Sequence, residues 1–532
     1  MEPALSTIAA RIIERESSVK RDLTPEEIWK IKLEVCREFG LSAVPKNSEI
    51  LERFDPAHRE KYLERLRRKS IRTRSGIAVV TVITKPFGCP HGTCTFCPGG
   101  VRFGTPQSYT KNSPASSFGE ARSFDPARQV SDMLSILERN GHDTSKVELI
   151  LLGGTILAMP KDYQRDFVKS SFDALNGISE PSESLEIAIR RNETARHRCV
   201  GLTIETKPDW CRKEHVDRLL SYGTTRVEIG VQSLREDVLK FVNRGHNLED
   251  TVRAFQVAKD SCFKVVAHMM PGLPRSDPDK DLADLLNLVS DERFKPDMLK
   301  IYPVLVVEGT ALYQQHRMGL YQPYSVDQLV EILSKFKREV PPWVRIMRIQ
   351  REIPKDEIAQ GPAAGNLRQL VLQEMARRGE RCRCIRCREV GHRSENASSE
   401  KALLKRIDYE ASGGQEIFLS FEDPDTDTLF GFLRLRIPSG GEHRSELRSS
   451  SSLVRELHVY GPVVPIGQSP KDASRPQHHG LGTRLLEEAE RISRQEFSRR
   501  KQVVISAVGT REYYRRRGYS DDGPFVSKFL GN

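Results

Sequence analysis

Between residues 77 and 304 the chain repeats one pattern six times: a short apolar run rich in β-branched residues, then an amphipathic stretch of helical length. The runs are IAVVTVIT (77–84), VELILLG (147–153), VGLTIET (200–206), TRVEIGV (225–231), FKVVAHM (263–269) and MLKIYPV (298–304). Runs this apolar have no solvent face, so each must be covered on both sides, which predicts a parallel sheet with crossover helices. Six such units make an open or partial (β/α)6 barrel, two short of the eightfold form, with chemistry gathered at the C-terminal ends of the strands. WVRIMRI (343–349) reads as a further strand.

The cysteines point to what those strand ends hold. Cys89, Cys94 and Cys97 have the spacing C-x4-C-x2-C on the loop after the first strand. Three thiolates on one short loop can hold three corners of a cubane iron–sulfur cluster. The fourth iron then stays open, able to chelate the amino and carboxylate groups of S-adenosylmethionine, whose reductive cleavage yields a 5′-deoxyadenosyl radical. Spacing alone also admits zinc with a distant fourth ligand; the position after the first strand favours the cluster. Gly153-Gly154-Thr155 ends the second run as a glycine turn, where S-adenosylmethionine-binding barrels carry Gly-Gly-Glu. Cys382, Cys384 and Cys387 form a second triplet, C-x-C-x2-C, which suggests a structural zinc with His392 or another histidine as fourth ligand. Cys36, Cys199, Cys211 and Cys262 stand alone and read as small buried apolar residues.

A second domain begins near residue 405. EIFLSFED, TLFGFLRLRI and LVRELHVYG read as strands, followed by the helix GLGTRLLEEAERISRQEF, the strand KQVVISAV and a closing GTREYYRRRGY. Gln477-His478-His479-Gly480-Leu481-Gly482-Thr483 opens that helix and resembles the Q/R-x-x-G-x-G/A loop of GNAT-type N-acetyltransferases. Unpaired N–H groups at a helix N-terminus suit a pyrophosphate. LVRELHVYG is the strand that would splay open to pair with pantetheine, and Tyr513-Tyr514 stands where a tyrosine commonly approaches the thioester sulfur. His478 and His479 read as surface residues flanking the loop. The polar stretches 441–452 and 467–476 read as mobile surface loops.

The chain of 532 residues carries 84 Lys+Arg against 73 Asp+Glu, a formal charge of +11. No apolar run is long enough to span a bilayer, and the first residues carry no secretion signal, so a cytoplasmic location is expected. The excess charge is clustered. Residues 59–74 hold eight basic and two acidic residues, and arginines recur at 377, 378, 381, 383, 386 and 388. Clustered cations gain by releasing counterions from nucleic acid, so RNA is the expected partner. A protein tail rich in lysine would be repelled.

Taken together, KPFGCPHGTCTFCPGG, KVELILLGGT, GLTIETKPDWC, HMMPGLP, LKIYPVLVVEGTALY, ELHVYG and HHGLGTRLLEEAERI resemble the catalytic subunit of Elongator in its stand-alone prokaryotic form. The resemblance covers nearly the whole chain. It implies an α/β protein: a basic helical tRNA-binding segment (1–75), a radical S-adenosylmethionine partial barrel (76–350), a linker with a zinc site (351–400) and a GNAT-type acetyltransferase-like domain (401–532). It implies carboxymethylation of carbon 5 of the tRNA wobble uridine, using a [4Fe-4S] cluster at Cys89, Cys94 and Cys97, S-adenosylmethionine at Gly153, Gly154 and Thr155, and acetyl-CoA. The expected acetyl-CoA contacts are Lys146, Glu456, Leu457, His458, Val459, Gly480, Leu481, Gly482, Thr483 and Tyr514, with Tyr513 and Tyr514 at the reacting group. The tRNA would be held by its anticodon stem-loop; a homodimer is compatible with the resemblance, and Elongator-like partner subunits are not required. The competing expectations are a protein lysine acetyltransferase whose barrel binds S-adenosylmethionine only structurally, and a tRNA-binding scaffold without activity.

Overall fold

The computed structural model describes residues 2–66, 73, 75–392, 399–448, 450–461 and 480–531. Its first layer is helical: α1 (Glu2–Val19), α2 (Pro25–Glu38), α3 (Asn47–Leu51) and α4 (Pro56–Leu66). The start of α2 is set by a reciprocal cap, in which Glu27 N–H donates to Thr24 Oγ1 at 3.3 Å and Thr24 N–H donates to Glu27 Oε2 at 2.7 Å. These helices share a small apolar core of their own around Leu5, Ile8, Ile31 and Val35. Much of the basic run expected at 59–74 lies outside the described residues.

All six apolar runs are strands: β1 (Ala78–Ile83), β2 (Lys146–Leu152), β3 (Arg198–Thr206), β4 (Arg226–Gln232), β5 (Lys264–Met269) and β6 (Met298–Ile301). They lie side by side in chain order, every neighbouring pair parallel. The short β7 (Val306–Val307) and β9 (Ile358–Gln360) pair apart from the main sheet. The further strand expected at 343–349 is β8 (Arg345–Ile349), which continues the parallel ladder beside β6 and brings the sheet to seven strands. Helices such as Pro126–Arg139, Lys161–Asn176 and Val326–Glu339 cover the outer face.

The second sheet is mixed. Strands β10 (Leu403–Ala411), β11 (Gly414–Asp423), β12 (Thr428–Ile437) and β13 (Ser451–Val459) run antiparallel, and β14 (Lys501–Val504) joins β13 in parallel. The hairpin β15 (Ser520–Asp522) and β16 (Phe525–Phe529) closes the far edge. Sequence reading missed β10, since its exposed charged residues show no buried face, and the short closing hairpin.

The two sheets meet through buried charge. Arg455 of β13 donates to Asp297 at 2.6 and 2.7 Å, to Glu416 at 2.8 Å and to Phe263 O at 2.8 Å. Arg436 reaches Asp260 at 2.7 Å, and Cys262 donates its S–H to Val454 O at 3.3 Å. Asp260, Cys262 and Phe263 precede β5, and Asp297 precedes β6. The N-terminal rim of the parallel sheet therefore rests on β11–β13. The cysteine loop lies at the opposite, C-terminal rim.

Candidate active site

The loop after β1 brings Cys89, Cys94 and Cys97 to the wall of a cavity of about 560 Å³. Donors converge on the sulfurs: Gln107 Nε2 on Cys97 at 3.2 Å, Arg244 Nη1 on Cys94 at 3.6 Å, and Thr155 Oγ1 at 3.8 Å from Cys89. His91 Nε2 lies 3.3 Å from Cys94 Sγ, and Lys207 Nζ lies 3.1 Å from His91 Nδ1. Burial and the Lys207 and Arg244 cations push His91 down to about 4, so the ring is neutral. Lys207 then donates to Nδ1, and the Nε2 proton faces the sulfur. Burial and the adjacent thiols push Cys97 up to about 11. Unaided, this thiol keeps its proton at neutral pH; a bound cluster would hold it as thiolate, with the surrounding N–H donors to stabilise it. The donor set fits an iron–sulfur cluster.

The glycine turn at the end of β2 is shaped by approach. A Cβ on Gly153 would lie 2.0 Å from Thr84 Oγ1, and one on Gly154 would lie 3.7 Å from Cys89 Sγ. Gly154 has φ +69°, a region that side chains disfavour. The turn thus lays bare backbone beside the cysteine loop, with Thr155 buried next to it.

Deeper in the barrel, three adjacent strands point charged groups inward. Lys300 Nζ contacts Glu228 Oε2, and His268 Nε2 lies 2.9 Å from the same oxygen. Burial opposes ionisation of Glu228, but Lys300 and His268 hold it well below the carboxylate range. Burial keeps His268 below its usual value despite Glu228, so it is neutral and donates from Nε2. Glu205 accepts from Tyr109 Oη at 3.4 Å, and burial together with Glu228 pushes it up to about 7. The cavity wall continues past these groups to Thr73 and Val79 at the N-terminal end of β1. There His458 Nε2 lies 3.4 Å from Ser75 O. Sequence reading missed His91, Gln107, Lys207, Arg244, Glu205, Glu228, His268 and Lys300. The signal for the last three was present: an ionisable residue inside each otherwise apolar run VEIGV, VVAHM and LKIY.

At the N-terminal rim, β13 and β14 separate. Their ladder ends at Val454↔Val504, while β13 stays paired with β12 as far as Val459↔Gly431. A bulge at Arg455 falls at the point of divergence. Glu456, Leu457, His458 and Val459 are therefore half-buried on the stretch of β13 that continues past its ladder with β14. Gly480, at φ +78°, caps the helix Leu481–Gln495, and Gln477, His478 and His479 lie outside the described residues. A Cβ on Gly482 would sit 2.8 Å from Tyr513 Oη and 3.6 Å from Val459 Cγ2, so the helix start, the strand end and Tyr513 surround one space. Arg517 donates to Thr483 Oγ1 at 2.8 Å and lies 3.6 Å over the Tyr513 ring, adding a cation that sequence reading missed. Tyr514 is buried, its ring edge-on to Tyr513 and Tyr519, and burial raises its hydroxyl far above the phenol range. Lys146 starts β2 on the same rim, and burial pushes it down to about 8.

Cys382, Cys384 and Cys387 bring their sulfurs within 4.8 Å of one another, a match to a thiolate metal site. His392 is not brought to this group; it pairs with Glu389 at 2.9 Å instead. Lys337 Nζ is a nearby cation, 3.2 Å from Cys382 and 3.8 Å from Cys387.

Comparison with known proteins places these features in a family. A tRNA uridine(34) acetyltransferase of Methanocaldococcus jannaschii is 46% identical over 531 residues, covering 98% of this chain and 97% of that protein. Elongator complex protein 3 of Homo sapiens is 44% identical, covering 95% and 93%. The chain belongs to the Elongator complex protein 3 family. Residues 1–74 match the ELP3 N-terminal domain, 83–289 the Radical SAM superfamily and 296–377 the Radical_SAM C-terminal domain. The solved structure of archaeal Methanocaldococcus infernus Elp3 lacking its N-terminus superposes with a TM-score of 0.75 at 43% identity, covering 86% of this chain and 99% of that one. Membership of the radical SAM superfamily implies a [4Fe-4S] cluster and S-adenosylmethionine. No helix among the described residues is long and apolar enough to cross a membrane.

Proposed function

We propose that this family member modifies the wobble uridine of tRNA, adding a carboxymethyl group at carbon 5 from acetyl-CoA by S-adenosylmethionine-dependent radical chemistry. The cavity supports this reading: it runs from the cysteine loop, past the charged barrel interior, to Thr73 and Val79, and His458 of β13 lies 3.4 Å from the nearby Ser75 O. Chemistry at an unactivated methyl needs a radical source and an acyl donor within reach of each other, and the cavity extends from the cysteine loop toward the strand proposed to hold the acyl donor.

Cys89, Cys94 and Cys97 would hold the cluster, and the Gly153–Gly154 backbone would meet the methionyl end of S-adenosylmethionine. When bound, these groups supply a 5′-deoxyadenosyl radical. Glu456–Val459, beyond the end of the β14 ladder, would pair with pantetheine, while Leu481–Thr483, with Arg517 and Lys146 as cations, would hold the phosphates. Tyr514, and Tyr513 above Gly482, would face the thioester as hydrogen-bond donors. Three sulfurs at 382, 384 and 387 would hold a structural zinc. The division into a tRNA-binding N-terminal segment, barrel, zinc linker and acyl-CoA domain follows the same reading, with the substrate held at its anticodon stem-loop. A homodimer, independence of partner subunits and a cytoplasmic setting complete the proposal.

The test is anaerobic incubation of cluster-reconstituted protein with S-adenosylmethionine, methyl-labelled acetyl-CoA, a reductant and unmodified tRNA, then nucleoside mass spectrometry. Label in carboxymethyluridine is expected, and it should vanish in Cys94→Ser while tRNA binding persists. Unlabelled uridine, with 5′-deoxyadenosine formed and tRNA bound, would overturn the proposed substrate.

A further inference from the structure

We propose that Lys300 and His268 read the Watson–Crick edge of the target uracil at the floor of the barrel cavity, and that Glu228 is the buried anion that fixes both in the required states. The inference rests on the function proposed above and adds how the base is chosen.

The three side chains stand on adjacent strands, with His268 directly opposite Lys300 in the β5–β6 register. Glu228 is fully buried, whereas the His268 and Lys300 side chains keep 11% and 10% of their surface open, on the cavity they both line. Lys300 gives one of its three N–H donors to Glu228 Oε2, which leaves donors for a ligand. His268 spends its only proton on the same carboxylate, so Nδ1 is an acceptor. Tyr302 packs edge-on against the imidazole at 5.4 Å and limits its rotation. The floor thus offers one fixed donor beside one fixed acceptor.

Uracil presents the complement, the O4 acceptor next to the N3–H donor. Cytosine presents the reverse, an amino donor beside an unprotonated N3. A histidine tautomer that suited cytosine would have to give up its hydrogen bond to a buried carboxylate, so the floor resists that exchange. Single-stranded RNA bases are read on this edge once they are splayed out of the loop, and a base reaching the floor of the partial barrel must be so displaced. A divalent cation is the competing occupant, because Glu205, Glu228 and His268 have ligand atoms within 4.8 Å of one another. It is disfavoured because the Lys300 ammonium already sits on the shared oxygen of Glu228.

The experiment uses the full-length, cluster-reconstituted protein and anticodon stem-loop RNAs carrying uridine, cytidine or N3-methyluridine at the target position. Methylation removes the N3 donor and leaves C5 untouched. A site that hydrogen-bonds its substrate rejects an analogue lacking the donor strongly, so turnover of N3-methyluridine should fall at least about 100-fold. The RNA dissociation constant should move less than about 2-fold, since phosphates dominate affinity. In Lys300→Met, the ratio of carboxymethyluridine to 5′-deoxyadenosine should fall at least tenfold. N3-methyluridine used within threefold of uridine by the unaltered protein would overturn the proposal without any variant having to fold. A Lys300→Met protein that loses both products in parallel would move Lys300 to the cofactor site, and one that only raises KM for acetyl-CoA would move it to the thioester; either refutes base reading. Failure of the function proposed above is distinguishable, because the unaltered protein would then make no carboxymethyluridine even from the uridine RNA.

Discussion

Replacing Arg455 by methionine should open the seam between the two sheets. The guanidinium is fully buried and makes a bidentate pair with Asp297 at 2.6 and 2.7 Å, bonds to Glu416 at 2.8 and 3.2 Å, and one to Phe263 O at 2.8 Å. Methionine keeps much of the stem's packing but leaves two buried carboxylates short of a cation. Breaking a buried pair by removing one partner costs about 3–5 kcal/mol. The lower end applies here, because Asp297 keeps the Val265 N–H at 2.8 Å and Glu416 keeps Arg436 at 3.0 Å. A protein of several packed units does not unfold as one two-state system, so the appropriate readout is local. Native-state hydrogen exchange of the β13 amides should quicken on the order of a hundredfold, the equivalent of about 3 kcal/mol. Asp297→Asn added to Arg455→Met should restore part of the protection, since one of the stranded charges is then gone. A change below about tenfold in the single variant would refute the reasoning, because it would mean that water already screens these charges. The consequence for function is direct: Arg455 stands at the bulge from which Glu456–Val459 diverge from β14.

Lys146 gives a pH signature. Burial lowers it to about 8 from 10.5, so the unfolded chain binds the extra proton between those values, and the burial penalty on stability is relieved as pH rises through about 8. In the proposed function Lys146 holds an acyl-CoA phosphate, and its charge is lost over the same range; CoA affinity should therefore fall severalfold between pH 7 and 9 by calorimetry, and stay flat in Lys146→Arg. Gly482→Ala should weaken acetyl-CoA binding by about tenfold, or about 1.4 kcal/mol, while RNA-independent cleavage of S-adenosylmethionine is retained, because the new Cβ meets Tyr513 Oη at 2.8 Å. Equal affinity for both proteins would place the thioester elsewhere. Cys384→Ser should remove one zinc per chain by elemental analysis and lower thermal stability; unchanged metal content would exclude the three-thiol site.

Much of the fold was legible because its signals are local. The β-branched runs declared strands covered on both faces, and Gly480 with Gly482 marked the start of the helix Leu481–Gln495. The cysteine spacings were equally plain, since ligands on one short loop need no tertiary context. His392 shows the limit: it stands five residues after Cys387, yet the pull of Glu389 decides its direction. β10 escaped because its alternation is hidden beneath charged, exposed side chains.

The sequence by itself determined much of what this protein has to work with: a three-cysteine loop on a parallel barrel, a glycine loop opening a helix on a second sheet, and clustered positive charge. Tertiary structure decided how those parts work together. It set the cysteine loop and the end of β13 at opposite rims of one barrel, with a charged cavity running from the first toward the second. It also gathered Glu228, His268 and Lys300 from strands far apart in the chain onto one oxygen. The physical reason is the range of the forces. Backbone propensity, capping and ligand spacing act over a few residues and are written in the local sequence. Burial of charge is a property of the assembled core, where an ionisable group is tolerated only opposite partners that folding brings to it.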